Sequence, residues 1–345
     1  MNTLTPVKAL AATLAICVTL NSTAFAEDEE MQEVLEGKAL PGDMVNPYEA
    51  DGSTGVDMDA LAEEMNNPLS DLWFLAIQND TTTYTGDFDG GDSRTFNNLK
   101  LQPVMSLPLT EDYNLVVRPV FQYLSYDFPQ LSLNDTTPPI TEDSFGLDFD
   151  RQNGLGDTIL LTSFGPSEPE GKLIIAGGPT FMLPTASDDE LRILQNNKWG
   201  AGPSVTGIYI GDQWILGAFA QHWWGIGDRT QKVRLNVPAN GAQLDVKIDG
   251  DDLNLTDLQY IVRYRYNAQT NIGAAPNISI NWNESGSDKY TIPVGIGFDT
   301  MLMLGPLPVK WGVEAQYYVN QPDAFGPEWN FRLFFVPIVP NPFKR

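Results

Sequence analysis

Twelve short stretches of the chain alternate apolar with polar residues, at 70–79, 99–109, 113–126, 154–164, 171–184, 199–210, 213–225, 255–268, 272–283, 289–300, 308–320 and 328–338. A period of two residues marks a β-strand whose faces meet different surroundings. The later strands are the clearest. Between 255 and 268, Leu258, Tyr260, Val262, Tyr264 and Tyr266 oppose Asp257, Gln259, Arg263, Arg265 and Asn267. Ile272, Ala274, Pro276, Ile278, Ile280 and Trp282 oppose Gly273, Asn277, Ser279, Asn281 and Asn283. Val309, Trp311, Val313, Ala315, Tyr317 and Val319 oppose Lys310, Glu314, Gln316 and Asn320, and Trp329, Phe331, Leu333 and Phe335 oppose Glu328, Asn330 and Arg332. Strands four to seven are less distinct, because glycines and small residues blur both faces.

The connections alternate too. Long acidic segments at 80–98, 127–153, 185–198 and 226–254 are separated by the short turns Thr110-Glu111-Asp112, Gly165–Glu170, Gly211-Asp212 and Ala268–Asn271. Two later connections, at 284–288 and 321–327, are shorter, and the one at 301–307 is longer than a tight turn needs. Short turns at one end, long loops at the other and an even strand number predict an all-β fold, a transmembrane antiparallel β-barrel of about 12 strands. An arginine facing lipid at the midplane costs about 2–4 kcal/mol, so Arg263, Arg265 and Arg332 are expected to look inward. A soluble lipocalin-like barrel is the competitor, with its apolar face inside. Alternation alone does not say which face is in. Roughly 275 residues in twelve strands nevertheless exceeds the usual eight-stranded ligand barrel.

Residues 1–26 read as a secretory signal peptide, with Lys8 in the n-region, the apolar run Ala9–Leu20 and an Ala24-Phe25-Ala26 cleavage site before Glu27-Asp28-Glu29-Glu30. A lipoprotein signal at Leu14-Ala15-Ile16-Cys17 competes, but Ile16 stands where a small residue is wanted. Residues 27–68 are acidic, with little strand patterning, and read as a mostly disordered periplasmic extension in which Asp57–Met65 can form one or two helical turns. The barrel is expected over 69–340. The expected location is the cell outer membrane, reached through the cleaved signal peptide, with outer-membrane lipid and the barrel assembly machinery as partners.

Cleavage after Ala26 removes Cys17, the one cysteine, and with it any disulfide or thiolate chemistry. The formal net charge of −25 becomes −26 when Lys8 is lost. Such a chain is a poor ligand for nucleic acid, whose phosphates need a basic surface. The 8 Trp, 12 Tyr and 17 Phe suffice for aromatic girdles at the membrane interfaces.

Little in the sequence points to catalysis. His222, the one histidine, lies in Gln221-His222-Trp223-Trp224 and shares the parity of Trp214, Leu216, Ala218 and Ala220, a girdle position. No enzyme activity and no cofactor are expected. Asp87, Asp89 and Asp92 and, near Gly250, Asp249, Asp251 and Asp252 are weak calcium candidates, read mainly as solvated acidic loops. The candidate lumen set is Arg118, Gln122, Arg263, Arg265, Asp299, Lys310, Glu314, Gln316 and Arg332. Enclosed in a barrel, these must pair or stay hydrated. They serve either as a rigidifying ion-pair network or as a selective constriction. Gly178-Pro179 and Gly202-Pro203 are expected to mark kinks or bulges.

Several local strings resemble a bacterial outer-membrane family labelled for the MetA-pathway of phenol degradation, some marine members of which carry the name neuromedin U. They are Asn67-Pro68 with Leu72-Trp73, Gln78-Asn79, Leu101-Gln102-Pro103-Val104, Gly154-Leu155-Gly156-Asp157, Gly177-Gly178-Pro179-Thr180-Phe181 and Leu183-Pro184-Thr185-Ala186. The most distinctive are Lys198-Trp199-Gly200-Ala201-Gly202-Pro203-Ser204 and Phe325-Gly326-Pro327-Glu328-Trp329. The resemblance implies an outer-membrane barrel that takes up hydrophobic or aromatic compounds. Barrels of this class usually end on an aromatic strand residue, whereas here Pro337, Pro340 and Pro342 follow Phe335. The expected function is a non-enzymatic channel or transporter for a small-molecule permeant, hydrophobic or aromatic compounds among them. The alternative is a plugged structural or adhesive barrel whose acidic outer loops bind divalent cations.

Overall fold

A computed structural model describes residues 57–86, 92–133, 145–167, 171–187, 198–227, 230–237, 242–249, 253–305, 307–339 and 341–343. One helix, α1 (Met58–Glu64), precedes the strands. These are β1 (Trp73–Thr85), β2 (Arg94–Pro108), β3 (Tyr113–Leu133), β4 (Phe145–Leu155), β5 (Thr158–Pro166), β6 (Leu173–Leu183), β7 (Trp199–Ile210) and β8 (Trp214–Ile226). Then follow β9 (Thr230–Val237), β10 (Ala242–Asp249), β11 (Asn254–Arg265), β12 (Thr270–Ala274), β13 (Asn277–Asn281), β14 (Tyr290–Leu304), β15 (Leu307–Asn320) and β16 (Gly326–Val339).

All pairings are antiparallel, and β4 and β5 pair with β3 as two halves of one crossing. β12 and β13 are likewise two halves of the crossing between β11 and β14. With β8 joined to β11 and β1 to β16, the sheet closes into a barrel of 12 crossings. β9 and β10 form a separate hairpin within the segment 226–254, which the sequence pattern reads as loop.

The twelve expected strands are all present, and the differences lie at their ends. β1 does not stop at 79 but continues through Asp80-Thr81-Thr82-Thr83 to Thr85, because β-branched threonines suit a strand even without apolar partners. β3 and β4 rise well into the expected 127–153 loop as a paired extension, Tyr123↔Leu155 to Leu133↔Phe145. Between β4 and β5 the register against β3 slips by one residue, from Tyr123↔Leu155 to Val120↔Ile159. A one-residue slip exchanges the faces, so parity carried across Gly156-Asp157 fails in this crossing.

Outward side chains are apolar and exposed, among them Trp224, Val262, Ile296, Val319 and Phe331. Inward ones are polar and buried, among them Asp80, Gln102, Asp299, Glu314, Gln316 and Arg332. A soluble barrel has the reverse arrangement. An apolar exterior around a polar interior belongs to a barrel solvated by lipid. This distribution decides between the two competing folds.

Prolines interrupt the ladder at several levels without shifting its register. Pairing lapses between Leu101↔Phe121 and Met105↔Val117, where Pro103 and Pro119 face each other. It lapses again beside Pro179 and Pro203, themselves paired. The Gly-Pro pairs are thus gaps in the ladder rather than bulges. Thr162 Oγ1 donates to Pro179 O at 2.7 Å and Ser204 Oγ to Gly178 O at 3.0 Å, replacing part of the lost bonding.

The orientation of the two faces is testable at Ile296, in mid-strand and 67% exposed. Ile296→Arg is expected to lower folding stability in phospholipid vesicles by about 2–4 kcal/mol, measured by urea titration. An unchanged stability would place that face in water.

Candidate functional site

Asp80 is buried inside the barrel. Its register partner across the β1–β16 seam is Arg332, whose Nε donates to Asp80 Oδ1 at 2.8 Å. Lys100 Nζ reaches Asp80 Oδ2 at 2.8 Å from β2, Gln78 Nε2 donates to the same oxygen at 2.7 Å, and Asn330 Nδ2 to Oδ1 at 3.3 Å. The carboxylate thus collects donors from three strands, as a buried charge requires. From β15, Glu314 stands 3.9 Å from Arg332, and Gln316 Nε2 donates to Glu314 Oε1 at 2.6 Å.

This network also holds backbone. Glu314 Oε2 accepts from Ala275 N at 3.0 Å, while Arg332 Nη1 (3.1 Å) and Gln259 Nε2 (2.9 Å) donate to Ala275 O. Side chains of the lumen thereby satisfy a peptide that would otherwise bond to β14. Pro276 has no N–H to offer. Between Gly273↔Gly297 and Ser279↔Thr291 the ladder is open, and this is the longest of the proline interruptions described above. The Tyr260 hydroxyl donates to Pro293 O at 2.9 Å and so bridges the gap.

A second cluster sits nearer the turns. Asp299 is ion-paired with Arg263 and, at 3.0 Å, with Lys310, and accepts from Asn271 Nδ2 at 2.8 Å. Arg265, at the end of β11, lies 3.9 Å from Glu63 of α1.

Between these clusters and the strands opposite lies a cavity of about 200 Å³. Its polar lining comes from β1–β3 (Gln78, Lys100, Gln102, Arg118, Gln122) and from Gln221, Asp257, Gln259, Asn277 and Ser279. Its apolar lining comes chiefly from β5, β6 and β8, as Ile159, Leu161, Met182, Phe219 and Trp223. Asn277, on the broken crossing, belongs to both the cavity and the gap. Arg118 donates through Nε (3.0 Å) and Nη2 to Gln102 Oε1. Gln122 Nε2 donates to Asp157 O at 2.7 Å and its Oε1 accepts from Asn98.

The chain before β1 packs into the end of the barrel that carries the short turns. Leu69 is fully buried among Val104, Val116, Ile174 and Ala176, and Asn114 Nδ2 donates to Leu69 O at 3.0 Å. On the other side of the mouth, Gln269 Nε2 donates to Asp59 Oδ1 at 3.1 Å, beside the Arg265–Glu63 pair. Contacts on strands from both sides mean that the segment crosses the mouth. Asn341 Nδ2 adds a bond to Asp71 O at 2.7 Å.

The nine lumen candidates read from sequence do not form one ring. Glu314, Gln316 and Arg332 gather at Asp80; Arg263, Asp299 and Lys310 form the second cluster; Arg118 and Gln122 line the cavity; Arg265 stands at the mouth. Sequence reading missed Asp80, placed in a loop, and left out Lys100, Gln102 and Asp257. The parity of Gln78 and Asp80 was the available signal. His222 lies on the outer face, its Nδ1 2.7 Å from Thr256 Oγ1 and its ring 4.2 Å from that of Trp224. Of the weak calcium candidates, Asp87, Asp89, Asp251 and Asp252 lie outside the described residues. Asp92 stands 3.8 Å from Arg94, and Asp249 ends β10.

No protein-family model matches the chain, and no curated protein matches it. The family label therefore rests on the local strings alone. Solved structures do match. An outer membrane channel from Pseudomonas putida F1 is 14% identical with a TM-score of 0.50, covering 78% of this chain and 94% of that one. The Pseudomonas putida toluene transporter TodX is 9% identical with a TM-score of 0.46, covering 80% and 93%. The transport unit of the autotransporter AIDA-I from Escherichia coli is 10% identical with a TM-score of 0.45, covering 77% and 89%. The likeness to the first is one of fold. The other two diverge too far in shape to add to it.

The role of the mouth segment is testable at Leu69. Leu69→Asp places an unpaired carboxylate in an apolar cluster, a cost of several kcal/mol, and is expected to unseat the segment. Single-channel conductance in a planar bilayer should rise several-fold. An unchanged conductance in folded protein would show that the segment does not obstruct the lumen.

Proposed function

We propose that this protein is an outer-membrane channel for small amphipathic molecules, hydrophobic and aromatic compounds among them. The carrying observation is the cavity, polar on one arc and apolar on another, whose lining includes Asn277 in the stretch where the ladder to β14 is open. An amphipathic solute finds hydration and apolar contact there together. The signal-peptide pattern at 1–26 supports export, and the lipid-facing exterior supports residence in a membrane. The fold likeness to an outer membrane channel agrees with both.

The segment across the turn end favours an exit through the wall over passage straight down the barrel. The same segment is what a plugged structural barrel would have. The wall gap favours the channel, because a purely structural barrel gains nothing from five positions per strand that lack a partner across this seam, between Gly273↔Gly297 and Ser279↔Thr291. Tyr260 bridges this gap, and Arg332 and Glu314 bind the backbone of Ala275 beside it.

Uptake of a labelled single-ring solute by porin-deficient Gram-negative cells tests this. Expression of the protein is expected to raise the initial rate, and Tyr260→Phe to raise it about fivefold further. The second figure follows from losing one hydrogen bond worth about 1 kcal/mol. Folded protein in the outer membrane with no gain in uptake would contradict the channel.

A further inference from the structure

Most cations of the lumen are already neutralised. Lys100 and Arg332 share Asp80, Arg263 and Lys310 share Asp299, and Arg265 faces Glu63. Arg118 differs. Among the described residues it has no carboxylate within ion-pair distance, and its protein acceptor is the neutral Gln102 Oε1. Nε and Nη2 are spent on that one oxygen, so Nη1 remains unpartnered, on a side chain that lines the cavity. A guanidinium enclosed in a barrel is costly unless paired, and it presents a fork of donors matched to a planar carboxylate.

The rest of the lining limits what can sit there. Leu161 is the register partner of Arg118, and Ile159 that of Val120, so an apolar wall begins directly beside the guanidinium. Met182 and Phe219 extend it. Asp257, the carboxylate in the same lining, already accepts from Gln221 at 3.2 Å and from Asn277 at 2.9 and 3.1 Å. Its oxygens are turned to those amides. A cavity of ~150 Å³ suffices for a benzene ring, and this one is about 200 Å³. We infer that Arg118 and the adjoining apolar wall form a binding site for a small organic acid. The carboxylate sits on the free N–H groups of Arg118, and a single ring or a chain of similar size lies against Ile159, Leu161 and Phe219. This names the substrate class of the proposed channel and rests on that reading.

Calorimetric titration of the folded full-length protein in detergent with benzoate, and with benzyl alcohol as the neutral counterpart, tests the site. Benzoate is expected to bind more tightly at low salt. Arg118→Gln should weaken it at least tenfold and leave benzyl alcohol within about twofold, and Arg118→Lys should restore part of the benzoate affinity. Should Arg118→Gln not fold, the salt dependence and the Arg118→Lys titration decide, the latter predicting a partial loss for benzoate alone. Benzoate that does not bind, binds without regard to residue 118, or loses affinity in step with benzyl alcohol would overturn the site. The uptake measurement separates the two readings: uptake with binding indifferent to Arg118 removes the site and keeps the channel. Arg118-dependent binding without uptake removes the channel.

Discussion

A carboxylate enclosed in a barrel must be met by positive charge and hydrogen-bond donors, and Asp80 is where this protein meets that demand. It sits on the first strand, faces Arg332 on the last, and draws Lys100 from the second. The pair therefore lies across the seam where the two ends of the sheet join. Removing either partner leaves a buried charge without compensation, which is more costly than the pair is stabilising. Closure of the barrel and satisfaction of the lumen charges are in this sense one requirement.

The same network gives the barrel its departure from a regular cylinder. Arg332 and Glu314 take both backbone groups of Ala275, and Pro276 follows with no donor of its own. A crossing that would otherwise be one strand becomes β12 and β13, and the wall opens beside it. Across the lumen the lining changes character, with Ile159, Leu161, Met182 and Phe219 in place of charges. The polar and apolar arcs line one cavity, and Asn277 belongs both to it and to the gap. The proposed route for amphipathic molecules rests on these two linings meeting in one cavity.

The strands were legible because lipid and lumen impose opposite demands on alternate residues, and the period of two survives even at modest hydropathy. The crossings from β11 to β16 were the cleanest in alternation, but not in extent: β14 runs on to Leu304 and pairs with β15 through Leu304↔Leu307, so most of the long connection expected at 301–307 is strand. Legibility ended where that contrast weakens. Asp80-Thr81-Thr82-Thr83 has no apolar member, so the alternating pattern ends one residue short of the buried carboxylate on that strand. At Gly156-Asp157 the one-residue slip defeats any parity argument. Which charges pair was not readable either, since Asp80 meets Arg332 only when the chain's two ends join the same sheet. The broken crossing was visible only as Pro276. Its consequence depends on Glu314 and Arg332, far along the chain.

The most direct test of this account is a double-mutant cycle on Asp80→Ala and Arg332→Ala, read as the free energy of urea unfolding in vesicles. Each single variant should cost about 3–5 kcal/mol, and the double variant clearly less than their sum, since it leaves neither charge without its partner. Costs that add to within about 0.5 kcal/mol, as for independent sites, would contradict the claim that this pair organises the barrel.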